Sequence, residues 1–300
     1  RGGIHVQRVP SPAGSRATGL REGPVRSYAL SMPTSSDHQT PSGTGSGELD
    51  LLGRYRSLME RVAAAAERSG RSARDVVVVL VSKYGTIEQI RELVDAGHEH
   101  FGESRAQQLE QRAAQISEWL ERRNEISPPD QQRPGGAVHW HMIGHLQRNK
   151  ARKLIKYVRL VQTVDSLRLA EEIQSAAAKG DRPVEVLIQV NVSGESQKHG
   201  IAPPAVRHLI DQVETMVNVQ VRGLMCMAEH SDDVEVVRRD FAHCQELFEE
   251  ISNKNNLGGR FNILSMGMSN DFETAIECGS NLVRIGSAVF KDEGRNPAGE

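Results

Sequence analysis

Lys83 ends the stretch DVVVVLVSKY at 75–84, in which six apolar residues, Val76 to Val81, run without alternation into Ser82 and the amine. Such a Val/Leu run fits a strand buried on both faces, as parallel sheets require. An ammonium at its end has two readings. It is a strand-edge cation snorkelling to water, or an amine whose pKa is lowered until it can attack a carbonyl. Two later stretches also carry chemistry. SMGMS at 265–269 places hydroxyls and a flexible Gly267 just before a helix, and RIGS at 284–287 repeats the arrangement one strand later, with Gly286 allowing backbone to approach a ligand. Amide N–H groups at a helix start favour anions, although Ser and Gly are also ordinary turn residues.

These groups act together only if the fold brings them to one place. A helical apolar pattern (Leu51, Leu52, Tyr55, Leu58, Val62, Ala65) runs from Glu48 to a stop at Gly70 and precedes the Val strand. Strands are then expected at 76–81, 98–104, 138–144, 159–166, 184–193, 219–228, 261–269 and 282–290. Helices alternate with them at 86–96, 106–123, up to 156, 167–179, 204–216, 234–253 and 271–278, and a turn-rich surface insertion (SPPDQQRPGG) precedes the third strand. Eight strands alternating with helices predict a closed (β/α)8 barrel of TIM type with an N-terminal helix, an open doubly wound sheet being the alternative. In a barrel the C-terminal strand ends converge, collecting Lys83, Asn191, Met225, Ser265 to Ser269 and Arg284 to Ser287 on one face. Loops after strands 7 and 8 are the habitual phosphate site of that fold. An amine for an aldehyde opposite an anion cradle would suit pyridoxal 5'-phosphate (PLP), the vitamin B6-derived cofactor.

Composition narrows the alternatives. A net charge of −2 over 300 residues gives no footprint for nucleic acid, and three scattered cysteines (Cys226, Cys244, Cys278) make neither a disulfide framework nor a CxxC site, which fits a reducing, cytoplasmic setting. No apolar run is long enough to cross a bilayer. Residues 1–47, rich in Gly, Ser, Pro, Thr and Arg, read as a disordered extension. Four arginines before Glu22 loosely resemble a transit peptide, and Met32 offers an alternative start. His139 and His141 alternate like metal ligands, but no third ligand stands at a suitable spacing. The basic helix with Arg148, Lys150, Arg152, Lys153 and Lys156 reads as a solvated face, and Asp232, Asp233 and Glu235 as a helix start.

The motifs VSK (81–83), HFGES (100–104), HMIGHLQRNK (141–150), VNVSGESQKHG (190–200), GLM (223–225) and SMGMSNDFETAIECGSNLVRIGSAVF (265–290) together resemble the pyridoxal-phosphate homeostasis proteins, also called proline synthetase co-transcribed proteins. The likeness runs from about Glu48 to Phe290 and implies a fold-type III barrel similar to the N-terminal domain of alanine racemase. It implies that Lys83 is the Schiff-base lysine and that Ser265, Met266, Gly267, Ser269, Gly286 and Ser287 form the phosphate cradle. Arg284 would face the pyridine nitrogen, and Asn191 and Met225 would also meet the cofactor. The chain departs from the family at Ser104, where Asn is usual, and at Lys291, where Gly is usual.

The expected domains are therefore 1–47, a PLP-binding barrel over 48–292, and a tail over 293–300. Ten residues follow Phe290, too few for the second domain in which alanine racemase keeps its catalytic tyrosine. Tyr84 follows Lys83 directly, and strand alternation would turn it away from the lysine. The leading expectation is a monomeric carrier that holds PLP on Lys83 and buffers or delivers it to apo PLP-dependent enzymes, without substrate turnover. A slow amino-acid racemase is the alternative, and a cofactor-free barrel aldolase with a lysine imine on a sugar phosphate stands third.

Overall fold

Asp50 caps the first helix, its Oδ1 accepting from the Gly53 N–H at 2.6 Å, and α1 (Leu51–Arg68) then buries Leu58, Val62, Ala65 and Ala66 on one face. Burying a Leu or Val side chain stabilises the chain by about 1.5–3 kcal/mol. The computed structural model describes residues 50–127, 138–180, 182–195, 199–254 and 259–290. The expected extension at 1–47, nearly all of the insertion at 127–136, Lys291 and the tail at 293–300 lie outside these residues.

After α1 the chain alternates: β1 (Val77–Val81), α2 (Ile87–Asp95), β2 (His100–Glu103), α3 (Ala106–Ile126), β3 (His139–Met142), α4 (Arg148–Leu154), β4 (Val158–Val164) and α5 (Leu167–Ala177). It continues through β5 (Val184–Val190), α6 (Pro203–Val213), β6 (Val219–Cys226), α7 (Val234–Lys254), β7 (Ile263–Ser265), α8 (Phe272–Glu277), β8 (Leu282–Ile285) and α9 (Ser287–Phe290). Every strand pairs in parallel with its neighbours in the chain, and β8 returns to β1 (Val77 with Leu282, Leu80 with Ile285) to close the barrel. This is the eight-stranded α/β barrel that the alternation predicts. Closure depends on Gly223, at φ +152°, because a Cβ there would stand 1.7 Å from the Ile263 carbonyl oxygen on β7.

The strands are all shorter than expected, the last two most of all. β7 stops at Ser265 rather than 269, and β8 stops at Ile285, with residues 287–290 forming a helical turn. Met266, Val289 and Phe290 extend the hydrophobic pattern because they are buried against the helices, although they no longer belong to a strand. α1 covers this end of the sheet: Arg61 pairs with Glu273 at 3.0 Å, and the Arg54 Nε donates to the Val289 carbonyl at 2.8 Å.

The sheet buries two surfaces. Outside, between strands and helices, lies a continuous apolar shell that includes Leu80, Phe101, Phe241 and Phe272. Inside, a small apolar cluster (Val79, Leu160, Leu187, Met225, Ile263, Leu282 among others) shares the space with buried polar side chains. These pair with one another. His141 Nε2 lies 3.0 Å from His100 Nδ1, and His141 Nδ1 lies 3.0 Å from Gln162 Nε2. Ser265 Oγ donates to Gln162 Oε1 at 2.7 Å and accepts from Arg284 Nη1 at 2.6 Å. Burial pushes the His141 pKa down to about 3 and that of His98, outside the barrel, to about 4, so both rings are neutral at ordinary pH.

Candidate functional site at the barrel mouth

Val81 is the last residue of β1, and the chain then tightens into a 3₁₀ turn, Ser82–Tyr84. The turn is held from below. Ser82 Oγ donates to the buried Glu103 Oε1 at 2.8 Å, and Arg112 pairs with that same oxygen at 2.9 Å while donating to the carbonyls of Ser82 and of Gly85. Burial raises the Glu103 pKa, against the pull of Arg112, and its Oε2 has no hydrogen-bond partner. This footing presents Lys83 to solvent, with Nζ 4.6 Å from the centroid of the Tyr84 ring. Tyr84 was expected to point away from the lysine. The 3₁₀ turn replaces strand alternation there, so both side chains line one cavity.

That cavity, about 690 Å³, opens at the C-terminal ends of the strands. Its wall is built from the exits of several strands: Ser104, Gly144, Thr163, Gln189, Met227 to Asp232, Met268 to Asp271, and Arg284 with Gly286 and Ser287. The size lies within the range of small-ligand sites. Between β7 and α8 the backbone turns at Gly267 (φ +91°), where a Cβ would meet that of Ala275 at 2.6 Å. Asp271 Oδ1 accepts from the Met268 N–H, and burial raises the Asp271 pKa. Ser269 Oγ accepts from the Gly286 N–H at 3.3 Å and so joins the two loops.

What remains at the rim is a set of donors. Among the described residues, the Ser269 and Asn270 N–H groups and the Ser287 hydroxyl make no hydrogen bond, and all three residues line the cavity. The expected helix-dipole attraction is small, since α8 has six residues and α9 four. Arg284 forms part of the wall while buried, donating to Ser265 Oγ and, at 2.8 Å, to the Cys226 carbonyl.

Of the residues singled out from sequence, the structure brings Lys83, Ser269, Arg284, Gly286 and Ser287 to this cavity. The others lie elsewhere. Asn191 folds into its own loop, with Nδ2 donating to the Glu195 carbonyl at 2.8 Å and Oδ1 accepting from the Gly194 N–H. Met225 sits in the barrel interior, and Ser265 is occupied by Gln162 and Arg284. Met266 is buried under the helices with its N–H on the Leu282 carbonyl, and Gly267 seats the loop on α8. Gly286 lies against β1, since a Cβ there would come within 3.1 Å of Val81 Cβ. Ser104, the family departure, lines the cavity, as do His145 and Thr163, which sequence reasoning passed over. Ser104 follows directly on β2, Thr163 is the next-to-last residue of β4 and His145 comes three residues after β3, so nearness to a C-terminal strand end was their signal.

Residues 55–294 match the family described as alanine racemase, N-terminal domain. The chain is 36% identical over 237 residues to the pyridoxal phosphate homeostasis protein of Aquifex aeolicus, covering 79% of this chain and 96% of that one. It is 32% identical over 237 residues to the protein of that name from Schizosaccharomyces pombe, covering 78% and 91%. Among solved structures it resembles PipY of Synechococcus elongatus with PLP bound, with a TM-score of 0.64 and 29% identity over 78% of this chain and all of that one. Alanine racemase of Clostridium difficile shares the fold, with a TM-score of 0.58 at 15% identity, covering 82% of this chain and 57% of that one.

Proposed function

Because this chain belongs to the pyridoxal phosphate homeostasis protein family, we propose that it binds PLP on Lys83 at the barrel mouth and buffers or delivers it. The reading is of a monomeric cytoplasmic carrier whose recipients are apo PLP-dependent enzymes. One observation supports it above the rest: an exposed amine, a buried guanidinium and three unspent donors (the Ser269 and Asn270 N–H groups and the Ser287 hydroxyl) share one cavity. These residues fit the cofactor, whose aldehyde needs an amine and whose phosphate needs donors.

When bound, the cofactor supplies an electrophilic carbonyl and a ring able to withdraw electrons. Lys83 provides the nucleophile, and its exposure lets it engage and release the ligand without a gate. The rim donors hold an anion by charge-assisted hydrogen bonds. Arg284 is pinned by Ser265 and Cys226, and a guanidinium donates but never accepts. A ring nitrogen that faced it would stay unprotonated, which would weaken electron withdrawal and disfavour carbanion chemistry. The measurement is borohydride reduction of PLP-loaded protein followed by peptide mass spectrometry. The adduct is expected on the Lys83 peptide and absent from Lys83→Ala; labelling elsewhere, or of the variant, overturns the assignment.

A second reading, slow racemisation, is favoured by the phenol of Tyr84 in the same cavity as Lys83, which provides a second proton-transfer group. Incubating the loaded protein with L-alanine in heavy water distinguishes the two. A carrier leaves the α-proton in place, whereas a racemase exchanges it and loses exchange in Tyr84→Phe.

A further inference from the structure

At the foot of the barrel, opposite Lys83, β2 and β3 begin side by side. His100 pairs in register with His139, and the His139 N–H donates to the Glu99 carbonyl at 2.6 Å. One potential ligand atom from each of Glu99, His100 and His139 lies within 4.8 Å of the others. From this juxtaposition we propose a divalent transition-metal site of the zinc class at the foot of the barrel, with Glu99, His100 and His139 as its protein ligands.

Two imidazoles and a carboxylate form a ligand set that zinc accepts, with water completing a tetrahedron. Bonds of about 2.0–2.2 Å hold such ligands roughly 3.5 Å apart, so modest side-chain rotation closes the set. Glu99 and His139 are half-buried, which leaves an approach for the ion, while His100 is buried and fixed. Its Nδ1 meets His141, and His141 meets Gln162, so a metal ion would be held through Nε2. Outer-shell hydrogen bonds of this kind orient metal-binding imidazoles. Coordination through Nε2 places the His100 proton on Nδ1, which then donates to His141 Nε2. His141 carries its own proton on Nδ1 and donates to the carboxamide oxygen of Gln162, whose amide turns over so that its N–H, in place of its oxygen, meets Ser265 Oγ. No net proton is gained or lost. The nearby cation Arg159 is engaged by Glu185 at 3.2 Å.

The sequence showed His139 and His141 without a third ligand. The structure supplies Glu99 and His100 from the neighbouring strand and makes His141 the support. The test uses full-length protein stripped with chelator, titrated with Co²⁺ by visible absorption and with Zn²⁺ by calorimetry. One equivalent is expected, with Zn²⁺ displacing Co²⁺. The double variant Glu99→Gln, His139→Ala loses binding, and His141→Leu weakens it about 10- to 100-fold, with circular dichroism confirming that each variant folds. No Co²⁺ band in the parent protein overturns the site, as does a band that survives the double variant. So does one that is lost instead in His145→Ala, which belongs to a separate group with Asp165 and His199 at the cavity.

Discussion

The two sides of the sheet are built by different rules. Facing the helices, the strands meet an apolar shell in which Leu80, Phe101 and Phe272 are fully buried. Facing the axis, polar side chains form a chain from His100 through His141, Gln162 and Ser265 to Arg284. A helix can offer apolar cover over a range of positions, and dispersion adds up without direction. A buried polar group needs a partner at one distance and angle. Strands in fixed register can provide that, and here they carry a guanidinium to the cavity wall buried yet hydrogen-bonded.

The outer shell should be the costlier side to damage. Phe241, 1% exposed on α7, anchors it, and Phe241→Ala is expected to lower unfolding free energy by about 3–5 kcal/mol in urea titration. Inside, Ser265→Ala leaves Gln162 Oε1 and Arg284 Nη1 each short of a partner and should cost about 1–3 kcal/mol in the same titration. A loss as large as that of Phe241→Ala would erase the distinction between the two sides.

Tyr55, on the otherwise apolar face of α1, tests the comparison through pH. Its hydroxyl lies 3.2 Å from His98 Nδ1, and burial pushes its pKa up to about 12. The unfolded chain ionises this phenol near pH 10. Between about pH 10 and 12 the unfolded state therefore binds fewer protons than the folded one, and stability falls as pH rises, by up to about 1.4 kcal/mol per pH unit. Tyr55→Phe should remove that slope from alkaline unfolding curves. The smallest effect belongs to the solvent-facing pair Arg122–Glu118, an i,i+4 contact at 2.6 Å with both side chains largely exposed. Arg122→Ala should change stability by less than about 0.5 kcal/mol in urea.

Much of the barrel was legible from residues. The unbroken Val76 to Val81 run, the alternation of strand and helix patterns, and the spacing of Lys83, Ser269 and Arg284 to Ser287 all announce a closed parallel sheet with chemistry at one end. Strand ends were less legible, because Met266, Val289 and Phe290 continue the apolar pattern for reasons of burial alone. Tyr84 was misplaced because strand periodicity was carried one turn too far.

Local chain chemistry determined the elements: a run of β-branched residues, a capping Asp50 and a chain-breaking glycine act over a few positions, within reach of any reading along the sequence. Inward and outward facing could not be read that way. In a parallel barrel both faces of a strand are buried, so apolar residues alone do not reveal which one meets the axis. Only the register of neighbouring strands, β7 against β8 and β2 against β3, decided that Arg284 meets Ser265 and that His100 meets His141, since those contacts join residues 19 and 41 positions apart.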